Sequence, residues 1–197
     1  MFTKRTWFYI FFALSFMFSM FGNQEQNVFI PQAKAMEFAS NIYDLQIQEA
    51  ELRQQEKQLM VKAIRKIYKR TNLEEVTRVV DYAYQYSEAY SVPPFLLIGL
   101  IATESAFRRL AVSKEGAAGY TQVLAKHHRD KIKGRNIFRT DVNIEVGTII
   151  LSDCMVKHKN VDGALGCYNG TTNPVKIAKF KQAIEKRKDQ ILVAAHA

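Results

Sequence analysis

At 197 residues the chain is long enough for one core with extra segments and too short for two full-sized domains. Hydrophobic residues make up 48% of it and charged residues 24%, which excludes a disordered or fibrous protein. The net charge of +9 points to a polyanionic neighbour, whether nucleic acid, acidic lipid or an anionic cell-wall polymer.

The N-terminus narrows that choice. "MFTKRTWFYIFFALSFMFSMFG" sets Lys4 and Arg5 before an uncharged stretch from Thr6 to Gly22, the layout of a signal peptide. The stretch also reaches the lower limit, roughly 17 residues, of what spans a bilayer, so an uncleaved membrane anchor fits it too. Residues 1–35 are therefore assigned to a signal peptide or N-terminal anchor, with Ala33-Lys34-Ala35 as the small-residue cleavage site. Removing them deletes Lys4, Arg5, Lys34 and Glu25 and leaves a basic exported part. Either way the protein is directed outward, to the periplasm or the cell envelope.

Residues 36–72 lack Gly and Pro and are rich in Gln, Glu, Leu, Lys and Arg, which predicts a helical extension. Phe38, Leu45, Leu52 and Leu59 recur every seven residues, but Glu49 and Glu56 interrupt the companion positions, so a narrow packing stripe is expected rather than a zipper. Next, Thr71 or Asn72 can cap a helix whose apolar face includes Val76, Val79, Val80 and Ala83, with a break at Ser91 and Val92. Pro93 and Pro94 suit the first turn of a second helix, "PPFLLIGLIATES", which is apolar nearly all round and so belongs inside the domain.

A glycine-containing turn from Gly116 to Gly119 follows, then a basic linker around "KHHRDKIKGR", a helix from about Asp141 to Lys157 and a last helix from about Pro174. No run alternates as a strand would, and neither a repeat nor a phosphate-binding glycine loop nor a paired CxxC motif is present. The expected fold class is all-α. The adjacent His127 and His128 point in different directions on any regular element, which argues against a metal site, and no cofactor is expected. Cys154 and Cys167 both fall in the exported part, where an oxidising compartment favours a disulfide; two small buried thiols are the alternative.

Glu104 stands out because it is a carboxylate in the last turn of that apolar helix. Burial disfavours its charged form, and the negative end of its own helix acts in the same direction. A carboxyl group that stays protonated near neutral pH can donate to a leaving-group oxygen, as cleavage of a glycosidic bond requires. The plainer alternative is a helical ion pair with Arg108, four residues on.

Four ordered segments decide between these readings: "YSVPPFLLIGLIATESAF", "AVSKEGAAGYTQV", "NIEVGTIIL" and "ALGCYNG". Together, over roughly residues 73–185, they resemble the lytic transglycosylase domain of the lysozyme-like superfamily, leaving 186–197 as a tail. The resemblance implies that Glu104 of the Glu-Ser pair is the catalytic acid. It further implies that Ser105 and Gln122 hydrogen-bond substrate, that Gly116 and Gly119 let the glycan approach, and that Tyr168 supports Glu104. Asn169 completes the Tyr-Asn motif and is either structural or substrate-facing.

The implied reaction is cleavage of the β-1,4 bond between N-acetylmuramic acid and N-acetylglucosamine in peptidoglycan, with a 1,6-anhydro product. Hydrolysis by a muramidase would need a second carboxylate, for which Asp141, Glu145, Asp153 and Asp162 are the downstream candidates. A non-catalytic wall-binding scaffold is the rival outside the enzymes. The implied partners are peptidoglycan strands, an envelope-spanning assembly and, through the leader, the membrane. Nucleic acid is not among them, since no recognition motif accompanies the charge. The chain departs from the family pattern at Tyr120-Thr121, where two apolar residues such as Leu-Met are usual, and at "YNGTTNPV".

Overall fold

The computed structural model describes residues 32–197. The expected leader lies outside the described residues, apart from residues 32–35, which are helical. The chain divides into two compact units, residues 1–48 and residues 49–197. Described residues of the first form one helical run, exposed at every position from 34 to 48.

Seven α-helices and one two-stranded hairpin make up the described residues. They are α1 (Gln32–Ile67), α2 (Leu73–Ala89), α3 (Pro94–Ser105), β1 (Ala117–Ala118), β2 (Val123–Leu124), α4 (Arg129–Ile132), α5 (Thr140–His158), α6 (Val161–Tyr168) and α7 (Pro174–Ala195). A single 3-10 turn, Ala125–His127, joins β2 to the loop before α4. None of these helices is long and apolar enough to cross a membrane.

The core of the second unit is built around α3. Leu97, Ile98, Leu100, Ile101 and Ala102 are all 0–1% exposed, as a helix apolar on every side requires. Pro94 opens it, where a missing backbone donor costs nothing, and Ala106 ends it by turning left-handed at φ 51°. Helix α2 lays Val76, Val79, Val80 and Ala83 against this core, the face read from its spacing. Of the two candidate caps, Asn72 serves: its side chain accepts from the Glu75 N–H at 2.8 Å.

Three expectations need correction. The seven-residue stripe of α1 does not pack, since Phe38, Leu45 and Leu52 are each more than half exposed. Burial falls instead at Met60, Val61, Ala63 and Ile64, so the end of the expected extension is part of the second unit's core. Nor are residues 186–197 a separate tail: α7 runs to Ala195 and buries Ile191 and Ala195. The hairpin was also unexpected, because two residues per strand are too few to show alternation.

Candidate active site

Glu104 lies in the last turn of α3, half-buried. Among the described residues no hydrogen bond or ion pair reaches its carboxylate, and Arg108 does not pair with it. The Arg108 Nε donates instead to the Ser105 carbonyl at 3.0 Å. Burial without a compensating partner pushes the Glu104 carboxyl up to about 7. Near neutral pH it is therefore present in both its protonated and its charged form.

Tyr168, at the end of α6, stands near enough to feel that carboxylate. Burial raises its phenol pKa, and the Glu104 charge adds to the effect. Its hydroxyl does not point at Glu104 as a donor, because it donates to the Thr121 carbonyl at 2.7 Å. Tyr168 thus ties the end of α6 to the hairpin. A disulfide between Cys154 of α5 and Cys167, the residue before Tyr168, fixes the same end with a Cα–Cα distance of 5.7 Å. Asn169 follows with its side chain exposed.

The loop between β1 and β2 is locked to α5 by Asn143, a residue that sequence reading passed over. Asn143 is 1% exposed. Its Oδ1 accepts from the Thr121 backbone N–H at 2.9 Å, and its Nδ2 donates to the carbonyls of Ala118 and Ile137 at 2.9 and 3.0 Å. The Thr121 hydroxyl lies 3.0 Å from the Asn143 carbonyl oxygen. Two glycines make this interlock possible: a Cβ on Gly119 would collide with the Asn143 side chain, and one on Gly147 with that of Thr121.

This lock changes the roles that the resemblance implied. Gly119, at φ 78°, makes room for the Asn143 side chain. Gly116 has open space around it and turns left-handed, at φ 86°. Ser105 is 1% exposed and its hydroxyl donates to the Ile101 carbonyl at 3.1 Å, a back-bond to its own helix that leaves it facing the core. Gln122 spends its amide N–H groups on the carbonyls of Gly119 and Ala111, at 2.9 and 3.1 Å. Its Oε1, with no donor among the described residues, remains as an acceptor.

The departure at Tyr120-Thr121 is matched by polar partners elsewhere. Thr121 has Asn143, while the Tyr120 hydroxyl donates to the Glu75 carboxylate, which also accepts from the Thr140 hydroxyl at 2.9 Å and from Arg78 at 2.5 Å. Both polar side chains are 0% exposed, so each needs such a partner. The nearest sign of this in the sequence was the pair of unusual residues itself.

No curated protein matches the chain. A family model, the transglycosylase SLT domain, matches residues 81–191, from the middle of α2 to the last turns of α7. That span holds Glu104, the locked hairpin and Tyr168, and it covers more than half of the chain. The protein therefore belongs to the transglycosylase SLT domain family, whose members are lytic transglycosylases acting on peptidoglycan.

Proposed function

We propose that the protein cleaves the glycosidic bond between N-acetylmuramic acid and N-acetylglucosamine without water, with Glu104 as the single acid and base. The observation that carries this reading is the unpaired, half-buried carboxyl of Glu104, pushed up to about 7. Protonated Glu104 donates to the glycosidic oxygen, and the aglycone leaves as C1 of the muramoyl residue becomes cationic. The carboxylate so formed takes the proton of the C6 hydroxyl as that oxygen bonds to C1. The product is a 1,6-anhydro sugar, and Glu104 ends protonated.

The ion pairs of the other acids support the same reading. Asp141 pairs with Arg139 at 2.8 Å, Asp153 with Lys131 at 3.1 Å, Asp162 with Lys181 at 2.8 Å, and Glu145 with Arg135. Each of the four downstream candidates for a second catalytic carboxylate is thus paired with a cation, which Asp153 shares with Asp130. Gln122 Oε1 and the exposed Asn169 side chain are available to meet the sugar. The basic segment before Thr6 and the uncharged run after it support export to the envelope, where an enzyme of this kind can open the wall for an assembly that crosses it.

Mass spectrometry of the fragments released from purified sacculi tests the reaction. Fragments ending in anhydro sugars, one water lighter than hydrolysed ones, are expected. Hydrolysed ends would make the protein a muramidase, and no fragments at all would leave the scaffold reading.

A further inference from the structure

A cavity of about 500 Å³ opens between the α1–α2 connection, the start of α2 and the residues that follow α3, within the usual range for ligand pockets. Its rim is basic: Lys69, Arg70, Arg108 and Arg109. Its wall is apolar, formed by Val76, Val79 and Phe107.

The charge of Glu75, the acid that lines it, is offset by Arg78, which pairs with it at 2.5 Å from outside the cavity lining. Burial works against the Glu75 charge, but hydrogen bonds from Tyr120, Arg78 and Thr140 outweigh it and keep the carboxyl below its ordinary range. Those donors occupy both of its oxygens. Arg109 reaches it only at 3.9 Å and otherwise donates to the Phe138 carbonyl at 3.2 Å. Among the described residues, no carboxylate lies within ion-pairing distance of Lys69, Arg70 or Arg108. Three cations on one rim repel one another, and an anion between them would relieve that.

The cavity is also tied to the candidate site. The Arg108 backbone N–H and Nε both donate to the Ser105 carbonyl, at 3.1 and 3.0 Å, and Ser105 follows Glu104 directly. Adjacent Cα atoms are about 3.8 Å apart, so this corner of the rim hangs from the helix end that carries the acid. A ligand suited to the cavity has a carboxylate for the rim and a short aliphatic part for the wall, and it must reach the cavity while glycan occupies the site.

We infer that the cavity binds a carboxylate of the stem peptide carried by the glycan being cleaved. The inference rests on the proposed reaction for its substrate and adds to it a second point of recognition outside the sugar chain. Peptide binding at this rim would hold the strand in register and raise kcat/KM for peptide-bearing wall above that for bare glycan.

The test uses the full chain and the double variant Lys69→Gln/Arg70→Gln, whose two side chains are exposed and which is expected to keep the wild-type melting temperature. Cleavage is measured on soluble peptidoglycan strands and on the same strands stripped of stem peptides by an amidase. The variant should lose about tenfold or more in kcat/KM on the peptide-bearing strands and nothing on the stripped ones. Equal losses on both substrates, or none on either, would overturn the inference.

Calorimetry with a free stem peptide separates this result from the fate of the catalytic reading. Peptide binding that weakens in the variant supports the cavity even if neither strand is cleaved. Equal cleavage of both strands by both proteins, with no peptide bound, removes the cavity's role and leaves the reaction standing. A peptide with amidated carboxylates that binds as well as the free acid, or a glycerol phosphate oligomer that binds in its place, also overturns it.

Discussion

At the residue scale, the proposed mechanism makes one proton on Glu104 link stability to activity. Burial holds the carboxyl near 7 against an ordinary 4.5, so the folded protein keeps a proton that the unfolded chain releases between those values. Stability therefore falls as pH rises from 4.5 to 7 and stays lower above that window. Glu104→Gln keeps the side chain's shape and removes its charge. The variant should match the wild type in urea unfolding below pH 4.5 and exceed it above pH 7, by on the order of 3 kcal/mol. Wall cleavage should drop by roughly 10² to 10⁴, the usual worth of a positioned acid or base. For the wild type, kcat/KM should decline as pH rises through about 7, because the first step needs the protonated form. A stability difference that does not vary with pH would mean that Glu104 titrates as an ordinary surface carboxyl.

At the element scale, the hairpin and α5 hold together through Asn143 rather than through apolar packing alone. Asn143→Ala strips partners from the Thr121 N–H and from the Ala118 and Ile137 carbonyls. Each buried group left without a partner costs about 1–3 kcal/mol, so urea titration should show a loss of about 3–5 kcal/mol. Activity should fall further than the folded fraction does, because Tyr168 is bound to Thr121 and Gln122 is the next residue. A variant that unfolds with the wild type would show that the lock bears no load. This lock also marks where the sequence stops being legible. The apolar helix, its proline start, a cap at Thr71 or Asn72 and the conspicuous Glu104 all follow from local pattern, because each depends on neighbours within a few residues. Asn143 looks like any polar residue in a first helical turn, and only the folded chain brings it to Thr121, 22 residues away. The surroundings of Ser105 and Gly119 are hidden in the same way: Ser105 back-bonds inside its own helix, and Gly119 faces Asn143 of α5. Helix α6 has eight residues with two glycines among them, too short and too broken to announce itself.

At the scale of the whole molecule, α1 belongs to two units, and its two ends should contribute differently to folding. Residues 34–48 are exposed at every position, and the second compact unit begins at Glu49. From there on, α1 is fastened to α2 by the ion pairs Arg53 to Glu88 and Lys57 to Asp81, at 2.8 and 3.0 Å. Such exposed pairs are worth little, typically less than about 1 kcal/mol. The larger contribution comes from Met60, Val61, Ala63 and Ile64, all 7% exposed or less. A large apolar side chain fully buried stabilises by about 1.5–3 kcal/mol, so Met60, Val61 and Ile64 together contribute on the order of 5–9 kcal/mol. That is comparable to the whole stability of a domain, about 5–15 kcal/mol. A chain beginning at Glu49 should therefore melt with the full chain, within about 2 °C, since roughly 1 kcal/mol moves the midpoint of a domain this size by only a few degrees. It should also retain its cleavage of isolated sacculi. A chain beginning at Tyr68 should fail to fold, giving no cooperative transition in calorimetry and no cleavage. If the Glu49 chain were instead destabilised by several kcal/mol, the exposed stripe of Phe38 and Leu45 would have to be packed in the native protein.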